Sequence, residues 1–231
     1  MNFGQNLQFL RKMHNGMTQE ELAEKMNVSR QTISKWELGS VYPEIEKIIE
    51  LCRYFSCSMD NLILDKINFD SRNYSDIRIE EIKEFRYVKY TVISSQPEDD
   101  GIRHIKDWAV SRGIDNPEII GWDFPYLSQE QINVYNMHGY TAACILPKNF
   151  KVKESNIEVI AQKNKKYAII TIKNPFSSPF TLIPNAYKTL MEYIKINNIK
   201  ENKDKEYLGC YEKEYEKDGV CYMDVCIAVD I

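Results

Sequence analysis

The stretch "MTQEELAEKMNVSRQTISKWELG", Met17 to Gly39, holds two helix starts separated by one short turn. Thr18 followed three residues later by Glu21 is the pattern in which a hydroxyl caps a helix N-terminus and a carboxylate reaches back to the capping residue. Leu22, Ala23 and Met26 give that helix one apolar face. Asn27 and Val28 leave room only for a turn. Ser29 then caps a second helix in which Ile33 and Trp36 point inward, and Gly39 stops it. Working outward, Phe3, Leu7 and Leu10 recur at helical spacing and close at "HNG", where Gly16 ends a helix in a left-handed conformation. On the far side Pro43 opens a helix whose apolar face is Ile45, Ile48, Ile49, Leu51 and Cys52, and "SCSMDNLI" supplies a last short one.

Composition bounds the rest. At 231 residues, 43% hydrophobic and 28% charged, the chain has the make-up of a folded protein of one large or two ordinary domains. No run approaches the ~18 apolar residues of a membrane-spanning helix, and the start "MNFGQNLQFLRKMHNGMTQEE" is no secretory signal. A cytoplasmic location without a membrane partner is expected. Six cysteines form no CxxC pair; Cys52/Cys57 and Cys221/Cys226 have four residues between them and no histidine nearby. Buried thiols are expected, with no metal site and no cofactor; His104 and His138 read as structural, and Trp36 and Trp108 as core. The net charge is -4, and residues 1–66 carry eight Lys or Arg against nine Asp or Glu. Phosphate neutralisation supplies much of the affinity for DNA, so a DNA-binding face here must gather its basic groups on one side.

Five short helices with a tight turn between the second and third make the helix-turn-helix arrangement, complete by residue 65. Over residues 1–65 the chain resembles the phage-repressor or xenobiotic-response-element family, and the resemblance is carried by "MTQEELAEKMNVSRQTISKWELG". It implies a DNA-binding transcription regulator in which Gln19 meets phosphate and the reading helix. It also implies that Arg30, Gln31 and Lys35 face base edges, with Thr32 and Ser34 beside them, and that Arg11 pairs with Glu37 to tie the first helix to the third. The chemistry agrees: arginine chelates guanine and glutamine chelates adenine in the major groove, while Ser29 and Lys35 suit backbone phosphates. One reading helix meets only a few base pairs, so a homodimer on a two-fold symmetric, double-stranded operator is expected.

Residues 66–78, "KINFDSRNYSDIR", are polar and turn-rich and read as a linker. Beyond them the periodicity changes. "EFRYVKYTVIS" alternates as a strand, "DDGIRHIKDWAVSRGI" is a helix, and "EIIGWDFP" and "GYTAACILP" are two more strands. The order then repeats: "KKYAIITIK" is a strand, "LIPNAYKTLMEYIKINNI" a helix and "EYLGCYEKEYEKDGVCYMDVCIAV" a hairpin. This strand–helix–strand–strand duplication has units of about 79–150 and 151–231 and is too long for a solenoid. The expected fold is α+β in two domains, 1–65 and 79–231. The second has one antiparallel sheet with both helices on one face and an open cleft on the other.

The duplicated layout, "GCYEKEY" and the closing "CIAVDI" resemble the effector-binding domain shared by the DNA gyrase inhibitory protein, some AraC-type and MerR-type regulators and multidrug-sensing regulators. That resemblance implies that Glu212, after Tyr211, faces the cleft and meets a cationic ligand. Laying Gly121 on Gly209 puts Trp122 opposite Cys210 and Phe124 opposite Glu212. Side chains alternate along a strand, so Trp122 and Phe124 are expected in the cleft with Glu212. Tyr126 follows from the strand end, Phe176 and Phe180 in "NPFSSPF" close the mouth, and Tyr140 and Tyr222 come from the third strand of each unit. A carboxylate ringed by aromatics suits a small aromatic or cationic effector, each cation–π contact contributing ~0.5–2 kcal/mol. The expected function is a ligand-responsive DNA-binding regulator and not an enzyme. The alternatives are a hydrolase using Glu212 and a protein-binding module of the gyrase-inhibitor type.

Overall fold

A computed structural model describes residues 3–14, 16–55, 57–64, 73–202, 204 and 206–231. The first part is five helices: α1 (Phe3–Met13), α2 (Gln19–Met26), α3 (Arg30–Glu37), α4 (Ile45–Tyr54) and α5 (Met59–Ile63). Their ends are set by local chemistry. Thr18 and Glu21 form the reciprocal capping box at α2, and Asn27 closes that helix in the left-handed region at φ 51°. Ser29 Oγ accepts from Thr32 N at 3.1 Å at the start of α3, and Ser58 Oγ accepts from Asn61 N at 3.0 Å at the start of α5. The helix expected to open at Pro43 starts at Ile45, with Glu44 extended before it.

Phe3, Leu7, Leu10, Leu22, Met26, Ile33, Trp36, Leu51, Phe55 and Leu62 fill the core of this bundle. Two features hold α1 against α3. A Cβ at Gly4 would sit 2.4 Å from the carbonyl oxygen of Glu37, so only glycine lets the two backbones approach this closely. Nearby, Arg11 donates from Nε to Glu37 Oε1 at 2.6 Å and from Nη2 to Glu37 Oε2 at 3.1 Å, with both side chains buried. Gln19 Nε2 donates to the same carboxylate at 2.8 Å, which ties α2 into the lock.

The rest of the chain runs β1 (Arg78–Ile82), β2 (Phe85–Ser94), α6 (Pro97–Val110), β3 (Glu118–Asp123), α7 (Gln129–Asn133), β4 (His138–Leu146), β5 (Ile160–Gln162), β6 (Lys165–Lys173), α8 (Pro179–Ile196), β7 (Lys200–Glu201), β8 (Cys210–Lys217) and β9 (Val220–Asp230). All strands share one antiparallel sheet in the order β1-β6-β9-β8-β3-β4-β2-β5, with β7 on β9. The two units join edge to edge through β3 and β8, where Ile120 lies opposite Lys213 and Gly121 opposite Glu212. α6 packs on Val88, Tyr140, Ala142 and Cys144 of the first unit. α8 packs on Ala168, Ile170, Val225 and Ile227 of the second, on the same face of the sheet. The other face is filled by Tyr87, Ile120, Tyr167, Ile169 and Tyr211, which are all buried.

Three expectations change. Of the expected linker, residues 66–72 lie outside the described residues, but 73–78 are docked on the sheet. Tyr74 is buried and donates to the Leu182 carbonyl at 2.9 Å, and Arg78 begins β1. The helix-free face is no open cleft, because an aromatic core occupies it. Cys210 is exposed, whereas Cys52, Cys144 and Cys226 are buried as expected of apolar thiols. Trp36 is buried; Trp108 is partly so, with the Arg112 guanidinium 4.7 Å above its ring. No helix among the described residues is long and apolar enough to cross a membrane.

The buried ion pair makes a stability test. Replacing Arg11 with methionine leaves the Glu37 carboxylate buried with only Gln19 as partner, and breaking such a pair costs about 3–5 kcal/mol. Urea denaturation of Arg11→Met is expected to show a loss of that size. A loss below about 1 kcal/mol would mean that the pair behaves as a solvated surface bridge.

Candidate functional site

Two places in the molecule gather chemistry. The first is the outer face of α3. Ile33 and Trp36 turn into the core and Glu37 is locked by Arg11 and Gln19, so the helix has one rotational setting. That setting leaves Ser29, Arg30, Gln31 and Lys35 exposed, with Thr32 and Ser34 half-buried beside them. Ser29 and Thr32 share a hydroxyl contact of 2.9 Å at the cap. The result is a rigid helix with a guanidinium, a carboxamide and an ammonium on its solvent side. Gln19 is committed to Glu37 rather than standing free.

The second is a cleft on the helix-bearing face of the sheet, between α6 and α8 and over the β3–β8 seam. Glu212 lies at its floor. Tyr187 of α8 donates to Glu212 Oε1 at 3.1 Å, and Tyr140 of β4 donates to Oε2 at 3.4 Å. Tyr140 reaches it only because position 121 is glycine: a Cβ there would lie 2.0 Å from the Tyr140 hydroxyl. The cavity measures about 140 Å³ and is lined by Ile102 and Lys106 of α6, Gly121, Tyr140, Glu212 and Glu214, among others. A larger hollow of about 660 Å³ between α8 and β7 is lined by surface lysines, glutamates and aliphatic side chains. Glu212's carboxylate in the smaller cleft is what gives that place its chemistry.

Burial dominates the electrostatics of the cleft. Loss of solvent pushes Glu212 up to about 7; the hydrogen bond from Tyr187 opposes this, and the charges of Asp123 and Glu98 add to it. Glu98, at the start of α6, is raised by burial and then by Asp123 and Asp99. Asp123 is raised by burial, against the lowering effect of His138, and Glu214 by burial against Lys106. The Tyr140 and Tyr187 hydroxyls are pushed upward by burial and by the Glu212 charge, so both stay protonated as donors. Among the described residues no group of three His, Cys, Asp or Glu is placed to hold a metal ion.

The sequence-expected residues divide accordingly. Glu212 and Tyr140 meet in this cleft. Trp122 does not join them: Gly121 is the residue paired with Glu212, so Trp122 points to the opposite face, where it packs edge-on to Tyr87 at 6.3 Å. Tyr222 also lies on that opposite face, stacked on Tyr215 at 5.6 Å. Phe124 covers Gly139 and sets its ring against Tyr126, which is exposed. Phe176 is exposed and Phe180 is 96% exposed, and neither lines the Glu212 cleft. Tyr187, Glu98, Asp123 and Glu214 were not anticipated. On the apolar side of α8 an aromatic at position 187 reads as packing, so the sequence carries no separate signal for it.

Residues 7–62 match the Helix-turn-helix family. Over 63 residues the chain is 46% identical to the HTH-type transcriptional activator BcrR of Enterococcus faecalis; the match covers 27% of this chain and 30% of the activator's length. Over 58 residues it is 34% identical to an HTH-type transcriptional regulator of Methanocaldococcus jannaschii, covering 25% of this chain and 86% of that protein. Among solved structures, the EcmrR–DNA complex is 16% identical with a TM-score of 0.48, covering 98% of this chain and 81% of that one. The match to the Methanocaldococcus jannaschii regulator spans most of that protein's length, and the family match over residues 7–62 coincides with the five-helix bundle and its exposed α3. The chain therefore belongs to the helix-turn-helix family of transcription regulators.

Proposed function

We propose that α3 reads a two-fold symmetric operator, bound by a homodimer, and that the cleft between α6 and α8 senses a small aromatic cation through Glu212. The observation that carries the sensing half is Glu212 itself. A carboxylate withdrawn from water, with other carboxylates nearby, is unfavourable when ionised. An arriving cation removes that penalty, and Tyr140 and Tyr187 set aromatic side chains beside the carboxylate. Two hydroxyl donors orient the carboxylate, and Lys106 is the basic group lining the cleft. On the operator side, exposed Arg30 and Gln31 have the chemistry for bidentate contacts to guanine and adenine, and Ser29 and Lys35 for phosphate.

For the reading helix, Arg30→Ala and Gln31→Ala are each expected to lower base discrimination by ~1–3 kcal/mol, measured by gel-shift competition between operator and mismatched duplexes. Undiminished preference in both variants overturns the assignment. For the cleft, Glu212→Gln keeps the shape and deletes the charge. Calorimetry should show tetraphenylphosphonium losing about tenfold to a hundredfold in affinity, while neutral triphenylphosphine oxide loses little. Equal loss for the two compounds would mean that Glu212 only shapes the space.

The raised pKa of Glu212 adds a pH test. A proton on Glu212 is held more tightly in the folded chain than in the unfolded one, so the folded state is favoured at low pH. That contribution is lost as pH rises from the ordinary 4.5 through about 7. Glu212→Gln should therefore gain stability relative to the unchanged chain across the same window. Affinity for the phosphonium cation should fall as pH drops below that midpoint, with a limiting slope of about tenfold per pH unit. A flat pH profile contradicts the reading.

A further inference from the structure

Helix α8 belongs to both halves of the molecule. Leu182, Ala186 and Leu190 are buried against the sheet, and between them Tyr187 donates to Glu212 at 3.1 Å. The same helix ends inside the DNA-binding bundle. Ile196 is a buried member of that bundle's core, and Tyr193 packs against both cores. Asn197 Nδ2 donates to the Met13 carbonyl of α1 at 3.1 Å and to the Tyr193 carbonyl at 2.9 Å. Tyr187 and Ile196 are nine residues apart, roughly 14 Å along one continuous helix.

The two ends differ in how firmly they are held. The sheet-facing side is a broad apolar contact. The contact with the bundle includes Ile196, Tyr193, Ile77 and the Asn197–Met13 hydrogen bond, and among the described residues Asn197 Oδ1 is buried there without a partner. An unpaired buried acceptor makes this seat easier to leave. At the other end, a cavity of about 140 Å³ is smaller than the roughly 300 Å³ at which pockets for drug-sized ligands begin. An aromatic occupant enters only if Tyr140 or Tyr187 moves, and a cation bound to Glu212 competes directly with the Tyr187 hydroxyl. Packed elements respond to such a shift by moving as rigid bodies between discrete seats.

We propose that α8 is the element that couples the cleft to the DNA-binding bundle. Loss of the Tyr187–Glu212 hydrogen bond moves α8, loosens Ile196 and Asn197 from the bundle, and so changes operator affinity. This rests on the reading of the Glu212 cleft as the effector site, and it requires that the occupant favour one seat of α8 over the other.

The test uses the full chain and an operator recovered by selection from random-sequence duplexes. Its first arm needs no ligand: a double-mutant cycle of Tyr187→Phe and Asn197→Ala, read by operator affinity, with Ile196→Ala as a second partner. Tyr187→Phe is expected to shift operator affinity by about fivefold or more, and the shift should vanish when Asn197 or Ile196 is also replaced. Additive effects in both cycles, with thermal melts showing every variant folded, overturn the coupling. The second arm adds tetraphenylphosphonium. The unchanged chain should shift in the same direction as Tyr187→Phe, whereas Asn197→Ala should still bind the cation and show no shift. A full shift in Asn197→Ala and Ile196→Ala also overturns the coupling. No calorimetric binding in any variant overturns the effector reading instead, and the ligand-free cycle then decides the coupling alone.

Discussion

Two residue pairs join the halves of the sheet, Ile120 opposite Lys213 and Gly121 opposite Glu212, and the rest of the C-terminal structure hangs on that seam. Because strands alternate their faces, fixing Gly121 against Glu212 sends the carboxylate to the side that carries α6 and α8. The same pairing sends Ile120 to the buried aromatic side. The missing side chain of Gly121 then admits the Tyr140 ring, and Tyr140 and Tyr187 close on the carboxylate from either unit. Lys213, next along β8, reaches across the seam to Glu118 of β3 and braces it. A register shift of one residue would bury the charge in the aromatic core and leave the tyrosines without an acceptor.

The helical bundle was legible because its signals are local. Thr18 with Glu21, Ser29 and Ser58 cap helices within one turn of themselves, and Gly16 and Gly39 take positive φ where the pattern required a stop. The Arg11–Glu37 pair followed from the family resemblance and forms with good geometry. The duplicated strand–helix–strand–strand order was also readable, since each element has its own periodicity. The facing of the strands was not. Aligning Gly121 with Gly209 treated two glycines as equivalent, but Gly121 makes room for a ring while nothing lies near the position a side chain at Gly209 would take. That one-residue slip placed Trp122 and Phe124 beside Glu212, whereas pairing across the seam puts Trp122 on the other face and Phe124 lies past the end of β3, over Gly139.

Tyr187 escaped for a related reason. On a helix with Leu182, Ala186, Leu190 and Ile194 as its buried stripe, one more aromatic reads as packing, and only the fold shows its hydroxyl aimed at a strand residue 25 positions later. Glu98 and Asp123 likewise look ordinary in sequence, one an acid at a helix start and the other at a strand end. Their closeness to Glu212 arises from tertiary structure alone. The same holds for α8, whose last turn serves the DNA-binding bundle although it belongs by sequence to the duplicated unit.

Cation sensing in this cleft requires Glu212 to be a desolvated carboxylate that a cation relieves. Its ionisation can be followed directly by carbon-13 NMR of the side-chain carboxyl, assigned by comparison with Glu212→Gln. The expected result is a midpoint near 7 in the free protein, moving toward the ordinary 4.5 when tetraphenylphosphonium is bound. A midpoint already at the ordinary value, unmoved by the cation, would contradict it.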